Sequence, residues 1–280
     1  MLAPSLSRRE HRLLILFALL LATAIIGPAL PTPELAGAAF ADTRAWHGLP
    51  NAMDVLSNLP FAAFGIWGLL WLRRLDGAHE DAQDAAPPTT AATQPPDNAL
   101  NCAWMFFVGL ILTAAASAFY HLQPDGQRLA VDRAGMSVVF AGLVGLATCE
   151  RVSARAGWPA AWFTLAGGLL AVAVYHETGN VLPWALVQFG GMALVVTLAL
   201  VKPMSGAIGL KLGWVIFFYG LAKLFELSDH AIFEATNQWV SGHSLKHLTA
   251  ALAAIPVLRV LQAMRRRTLR HGPGATTVTA

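Results

Sequence analysis

The sequence predicts an all-α fold, a polytopic bundle of transmembrane helices with a seven-span core and one extra N-terminal hydrophobic helix. Three observations lead there. Of the 280 residues, 56% are hydrophobic and only 12% are charged, about half the charged share of an ordinary soluble domain. Mean hydropathy is +0.54. The apolar residues also gather into long unbroken runs rather than alternating. Such runs suit helices, which satisfy every backbone N–H within the segment, and do not suit the strands of a membrane barrel.

Eight runs qualify, at 13–30, 53–72, 103–120, 129–149, 158–175, 182–201, 212–233 and 245–263. Each approaches the roughly 20 residues needed to cross the hydrocarbon layer. The first follows Arg8, Arg9 and Arg12 and precedes Ala39-Phe40-Ala41, a small-x-small pattern like that of a signal-peptide cleavage site. The long interval between run and tripeptide favours a retained helix. The chain therefore divides into a signal-like or transmembrane segment over 1–41, a seven-span domain over 42–263 and a cytoplasmic tail over 264–280. Inside the domain, 76–98 is the only long hydrophilic stretch, rich in Ala, Pro, Thr and Asp, and it is expected to be a flexible cytoplasmic loop.

Basic residues orient the bundle. With the N-terminus inside, Arg8, Arg9, Arg12, Arg73, Arg74, Arg151, Arg155, Lys202, Lys211 and Arg265 to Arg267 fall on the inner side, and Arg44 stands clearly outside. This is a strong positive-inside pattern. The net charge of +3 thus serves topology and does not point to nucleic acid. Short loops and a compact N-terminus suit a bacterial inner membrane. Cys102 and Cys149 both lie in or at apolar segments, so they read as small core residues and not as a disulfide framework.

Ionisable groups at membrane depth are costly and mark function. Three clusters are expected at the outer, periplasmic ends of their spans. Ser117 and His121 are four residues apart and share a helix face, Asp132-Arg133 opens the next span, and His243 and His247 repeat the four-residue spacing near the C-terminus. Two histidines at that spacing can reach one metal ion. With His121 they form a three-nitrogen set with one open position, the pattern of a catalytic zinc. Zinc lowers the pKa of its bound water to about 7 and polarises a carbonyl. Asp132 is placed to accept and return a proton, and Ser117 to hydrogen-bond an oxyanion or orient the water. The plainer alternatives are polar residues that cap helix ends, a role open to Asp132, and an HxxxH arising by chance on a surface helix. Lys223, Glu226, Asp229 and His230 suggest a buried structural network, with a shell that orients the zinc ligands as the sharper alternative.

Taken together, Ser117, His121, Asp132 eleven residues after that histidine, and His243-Ser-Leu-Lys-His247 resemble the alkaline ceramidase family. Its wider superfamily of seven-span membrane hydrolases includes the adiponectin receptors. Ser57-Asn58 matches a further family mark, with Asp54 where the family more often has Asn. The resemblance covers roughly 42–263. It implies that His121, His243 and His247 bind zinc, that Ser117 and Asp132 line the catalytic water, and that the reaction cleaves the amide of ceramide to a sphingoid base and a fatty acid. Some relatives also bind calcium through acidic residues before the first core helix. Here Asn51 stands where a glutamate is expected, and upstream only Asp42 and Trp46 occur, at different spacing, which argues against that site.

The function expected is therefore a zinc amidohydrolase acting on ceramide or another N-acyl lipid, with membrane lipids as its other contacts. A receptor or sensor on the same scaffold, with a non-catalytic zinc, is the main alternative. It has no need of an acid/base group such as Asp132. A transporter would require polar groups strung across the midplane or a pair of broken helices, whereas these crowd at one end. A haem protein would need facing histidines but neither Ser117 nor Asp132.

Overall fold

The apolar runs fold as helices. The computed structural model describes residues 5–31, 40–84 and 98–271. Its elements are α1 (Arg8–Ile26), α2 (Ala52–Leu56), α3 (Leu59–Asp84), α4 (Asn98–Leu122), α5 (Gly126–Arg151), α6 (Ala154–Thr178), α7 (Leu182–Ala185), a π-helical turn (Leu186–Gly190), α8 (Gly191–Ala199), α9 (Leu212–Leu227), α10 (Asp229–Ala235), α11 (Gly242–Ala251) and α12 (Ala254–His271). Among the described residues there is no strand beyond one isolated bridge between Trp46 and Leu49. The protein is an all-α, polytopic helical bundle. Among the described residues, six stretches are long and apolar enough to cross a membrane: Ala52–Gly77, Asn98–Leu122, Gly126–Arg151, Ala154–Thr178, Leu182–Ala199 and Gly242–Met264.

Two of the eight apolar runs fall short of that length and composition. α1 begins with Arg8, Arg9, Glu10 and Arg12 and stops at Ile26, because Gly27-Pro28 cannot continue a helix. α9 has 16 residues, fewer than the roughly 20 of a full span, and the chain breaks at Ser228 before α10. Two other elements run longer than expected. α3 continues to Asp84, into the hydrophilic stretch, where Ala, Glu and Gln support helix and the first prolines come only at Pro87-Pro88. The remainder of the expected loop, 85–97, lies outside the described residues, as does the end of the tail, 272–280. α12 carries the helix past the expected domain end to His271.

The extra N-terminal helix is built into the bundle. Ser7 and Glu10 form a reciprocal capping box. The buried Glu10 carboxylate then accepts both arms of Arg155 at 2.7 Å and the Ser153 hydroxyl at 2.7 Å. Arg9 donates to the carbonyls of Arg151 (2.8 Å) and Lys202 (3.1 Å). Beyond the far end of α1, Leu30 O accepts from Val181 N (2.8 Å), and Leu30 N donates to Asn180 Oδ1 (3.0 Å). α1 is thus tied first to the start of α6 and then to the residues just after its end.

α4 and α5 form the centre. A Cβ on Gly142 would collide with the backbone of Phe106, so glycine lets the two helices approach closely, as is usual where no hydrophobic force separates helix–helix from helix–lipid contact. Cys102 and Cys149 are buried and form no disulfide among the described residues. Because α4 runs toward one end of the bundle and α5 and α11 start there, the ends carrying His121, Asp132 and His243 converge. Arg9, Arg151 and Arg155 gather at the opposite end.

Candidate metal centre

His121 lies in the last turn of α4, and His243 and His247 lie on one face of α11. All three are buried. One nitrogen from each falls within 4.8 Å of the others, and His121 Nε2 and His243 Nε2 are 3.2 Å apart. Two nitrogens bound to one tetrahedral ion at ordinary Zn–N lengths stand about 3.3 Å apart. The donor set therefore fits a metal ion, and its all-nitrogen chemistry suits zinc and its neighbours, not magnesium or calcium.

Each ligand helix is held by groups distant in sequence. Ser57 Oγ donates to the Asp54 carbonyl (3.0 Å) and lies 2.8 Å from His247 Nδ1. Its one proton being used, the hydroxyl oxygen accepts from Nδ1–H, which leaves Nε2 of His247 free to bind metal. The Asp54 carboxylate accepts from Ser244 Oγ at 2.8 Å, and Ser241 caps α11 through Ser244 N at 3.0 Å. Asp229 Oδ1 accepts from His243 N at 2.8 Å, satisfying one of the orphan N–H groups that begin a helix. A Cβ on Gly242 would run into Asp229 Cα at 2.7 Å, so glycine brings the histidine helix down onto that carboxylate. Asn51 Nδ2 donates to the His121 carbonyl at 2.8 Å. Asn51, just ahead of α2, therefore braces the end of α4.

The segment before α2 covers the histidines. The Phe40 ring centroid is 4.7 Å from that of His121 and 4.5 Å from that of His243. Ala41 N donates to Asp229 Oδ2 at 3.0 Å. Of the tripeptide resembling a cleavage site, Ala39 lies outside the described residues; Phe40 and Ala41 are docked. Asp42 is paired with Arg44 at 2.6 Å. Burial pushes its carboxyl up, but the Arg44 hydrogen bonds outweigh this and hold it below its ordinary value.

Below the histidines opens a cavity of about 320 Å³. Ser117 and Asp132 line it, as do Lys223, Glu226 and Lys246. The Asp132 Oδ1 is buried without a partner. The helix-capping role open to Asp132 belongs instead to Asp125, which accepts from Arg128 N at 2.8 Å at the true start of α5. Deeper, the walls turn apolar, with Phe61, Phe106, Leu110, Leu143 and Val215. The polar groups of the sequence thus stand at the head of an apolar chamber.

The cluster in α9 and α10 divides in two. Lys223 pairs with Glu226, which also holds Lys246 at 3.1 Å. Asp229 serves the histidine helix, and His230 is exposed and outside the three-histidine group. The roles of Phe40, Lys246 and Ser57 toward the site carry no local sequence signal. Only the Ser57-Asn58 pair hinted at the last.

No protein-family model matches this chain, and no curated protein matches it.

Proposed function

We propose that this protein is a zinc-dependent membrane hydrolase that cleaves the amide bond of ceramide or a related N-acyl lipid, releasing a fatty acid and an amine. The observation that carries the proposal is the placement of His121, His243 and His247 together with Ser117 and Asp132 at the polar head of one apolar-walled cavity. His121, His243 and His247 would hold the ion, which when bound supplies Lewis acidity toward a water and the amide carbonyl. The chain's own groups do the rest. Asp132, with one oxygen free, takes a proton from the attacking water and returns it to the leaving amine. Ser117 offers a hydrogen bond to the developing oxyanion or orients the water. The apolar walls hold the acyl chain, so the amide of a lipid lying in the bilayer is presented near the interface. The setting proposed is a bacterial inner membrane with the site toward the periplasm, as the basic residues direct.

One observation favours a receptor or sensor on the same scaffold: Phe40 stands over two of the histidines and would restrain turnover in this conformation. Elemental mass spectrometry and an amide-cleavage assay decide between them. About one zinc per chain, lost in His243→Ala, together with fatty acid release from ceramide, supports the hydrolase. Zinc with no release from any N-acyl lipid would leave the receptor.

A further inference from the structure

Arg133 follows the proposed acid/base residue and has no task in that chemistry. Its guanidinium carbon lies 4.0 Å from the ring centroid of Tyr175 and 5.4 Å from that of Trp184, so two aromatic faces fix its plane. It lines the same cavity as the histidines. Its Nη1 is buried without a hydrogen-bond partner. Among the described residues no carboxylate forms an ion pair with it. Asp132, next to it in the chain and on the same cavity wall, forms no ion pair with it. The other two cations of the cavity, Lys223 and Lys246, share Glu226. Three cations therefore face two carboxylates, one positive charge in excess, and Arg133 is the cation that forms no ion pair. A cation at membrane depth is costly unless paired, and a guanidinium held in one plane suits a two-oxygen anion.

We propose that Arg133 is a specificity residue that receives an anionic group, a carboxylate or a phosphate, carried on the amine half of the lipid amide. This rests on the lipid-amide assignment above and narrows it: the preferred substrate is an acidic N-acyl lipid and not a neutral ceramide. Histidines and Asp132 meet the amide, apolar walls take the acyl chain, and Arg133 takes the charge beyond the amide nitrogen.

The test compares three lauroyl amides that differ only in the amine half: N-lauroylethanolamine, N-lauroylglycine and N-lauroylethanolamine phosphate. Binding to the full-length protein in bicelles is measured by calorimetry, and laurate release is followed in the same samples. The wild type is expected to bind one or both anionic amides roughly 10- to 100-fold more tightly than the neutral one, the worth of a hydrogen bond to a charged group. Whether the carboxylate or the phosphate gains more names the head group. In Arg133→Gln that ratio collapses toward one, and in Arg133→Lys, which keeps the charge but not the fork, a reduced preference remains. Equal binding of all three by the wild type overturns the proposal without any variant having to fold. So does a preference that persists in Arg133→Gln, which would seat the anion on the metal centre. Selective binding with no laurate released leaves Arg133 as an anion receptor and removes the hydrolase instead, so the two failures are distinguishable.

Discussion

Ser57 and His247 stand 190 positions apart in the chain, and their side chains meet at 2.8 Å in the buried interior. The hydroxyl passes its own proton to the Asp54 carbonyl and so selects which imidazole nitrogen is left for a metal. Losing such a partner typically costs 10- to 100-fold in metal affinity. Ser57→Ala is expected to lose zinc to a competing chelator at concentrations about that much lower than the wild type requires. An unchanged competition curve would show that the bond plays no part in ligand orientation.

His121→Ala and His247→Ala are each expected to abolish zinc retention, because two nitrogens do not hold the ion through purification. Asp132→Asn should keep one zinc per chain and lose about 10²- to 10⁴-fold in turnover, the usual worth of a positioned acid/base group. Elemental analysis paired with fatty-acid release checks both. Turnover by a metal-free histidine variant would sink the mechanism.

Asp229 is bound from two sides, by Ala41 N and His243 N. Asp229→Ala strands both N–H groups, at about 1–3 kcal/mol for each buried donor left unpaired. The expected result is a lower melting temperature and faster metal loss, together with easier proteolysis after residue 41. Phe40→Ala should speed chelator access without lowering melting as far, since it uncovers the histidines and leaves the Asp229 bonds in place. Chelation rates of the two variants, measured side by side, separate covering from anchoring.

Much of the site was legible because its residues are expensive where they stand. His121, Asp132, His243 and His247 interrupt apolar runs at positions that alternating topology carries to one end, so their meeting follows from counting crossings. The span count was less legible. α9 reads as one run with the residues after it, yet it ends at Ser228, where an Asp229 committed to α11 takes the chain out of the helix. Asp229, Phe40 and Lys246 act on the site only through tertiary contact, and no periodicity marks a residue whose partner is fourteen or eighty positions away. The capping possibility at Asp132 failed for a related reason: the true cap is Asp125, one of several polar residues in a loop where sequence alone does not rank them.

Glu10 supplies the pH test. The Arg155 hydrogen bond, helped by Ser153 and Ser7, holds its carboxyl well below the ordinary value of 4.5. A depressed acid stabilises the folded state above its unfolded pKa, and that stability is lost as pH falls through the folded value. Docking of α1 should therefore weaken progressively as pH drops below about 4.5. Glu10→Gln should be less stable than the wild type at neutral pH, and the difference should shrink on acidification. Melting curves of both in detergent at pH 7 and pH 3.5 measure it, and a constant gap would remove Glu10 as the clamp.

That clamp also sets an order of events. Glu10 finds its partner 145 positions further along the chain, in Arg155. Leu30 is likewise separated from Asn180 by 150 positions. Neither end of α1 can therefore be fastened until α6 and the residues after it have been made. A chain stalled before that point carries α1 without its partners, and only completion of the later helices turns it into a wall of the protein.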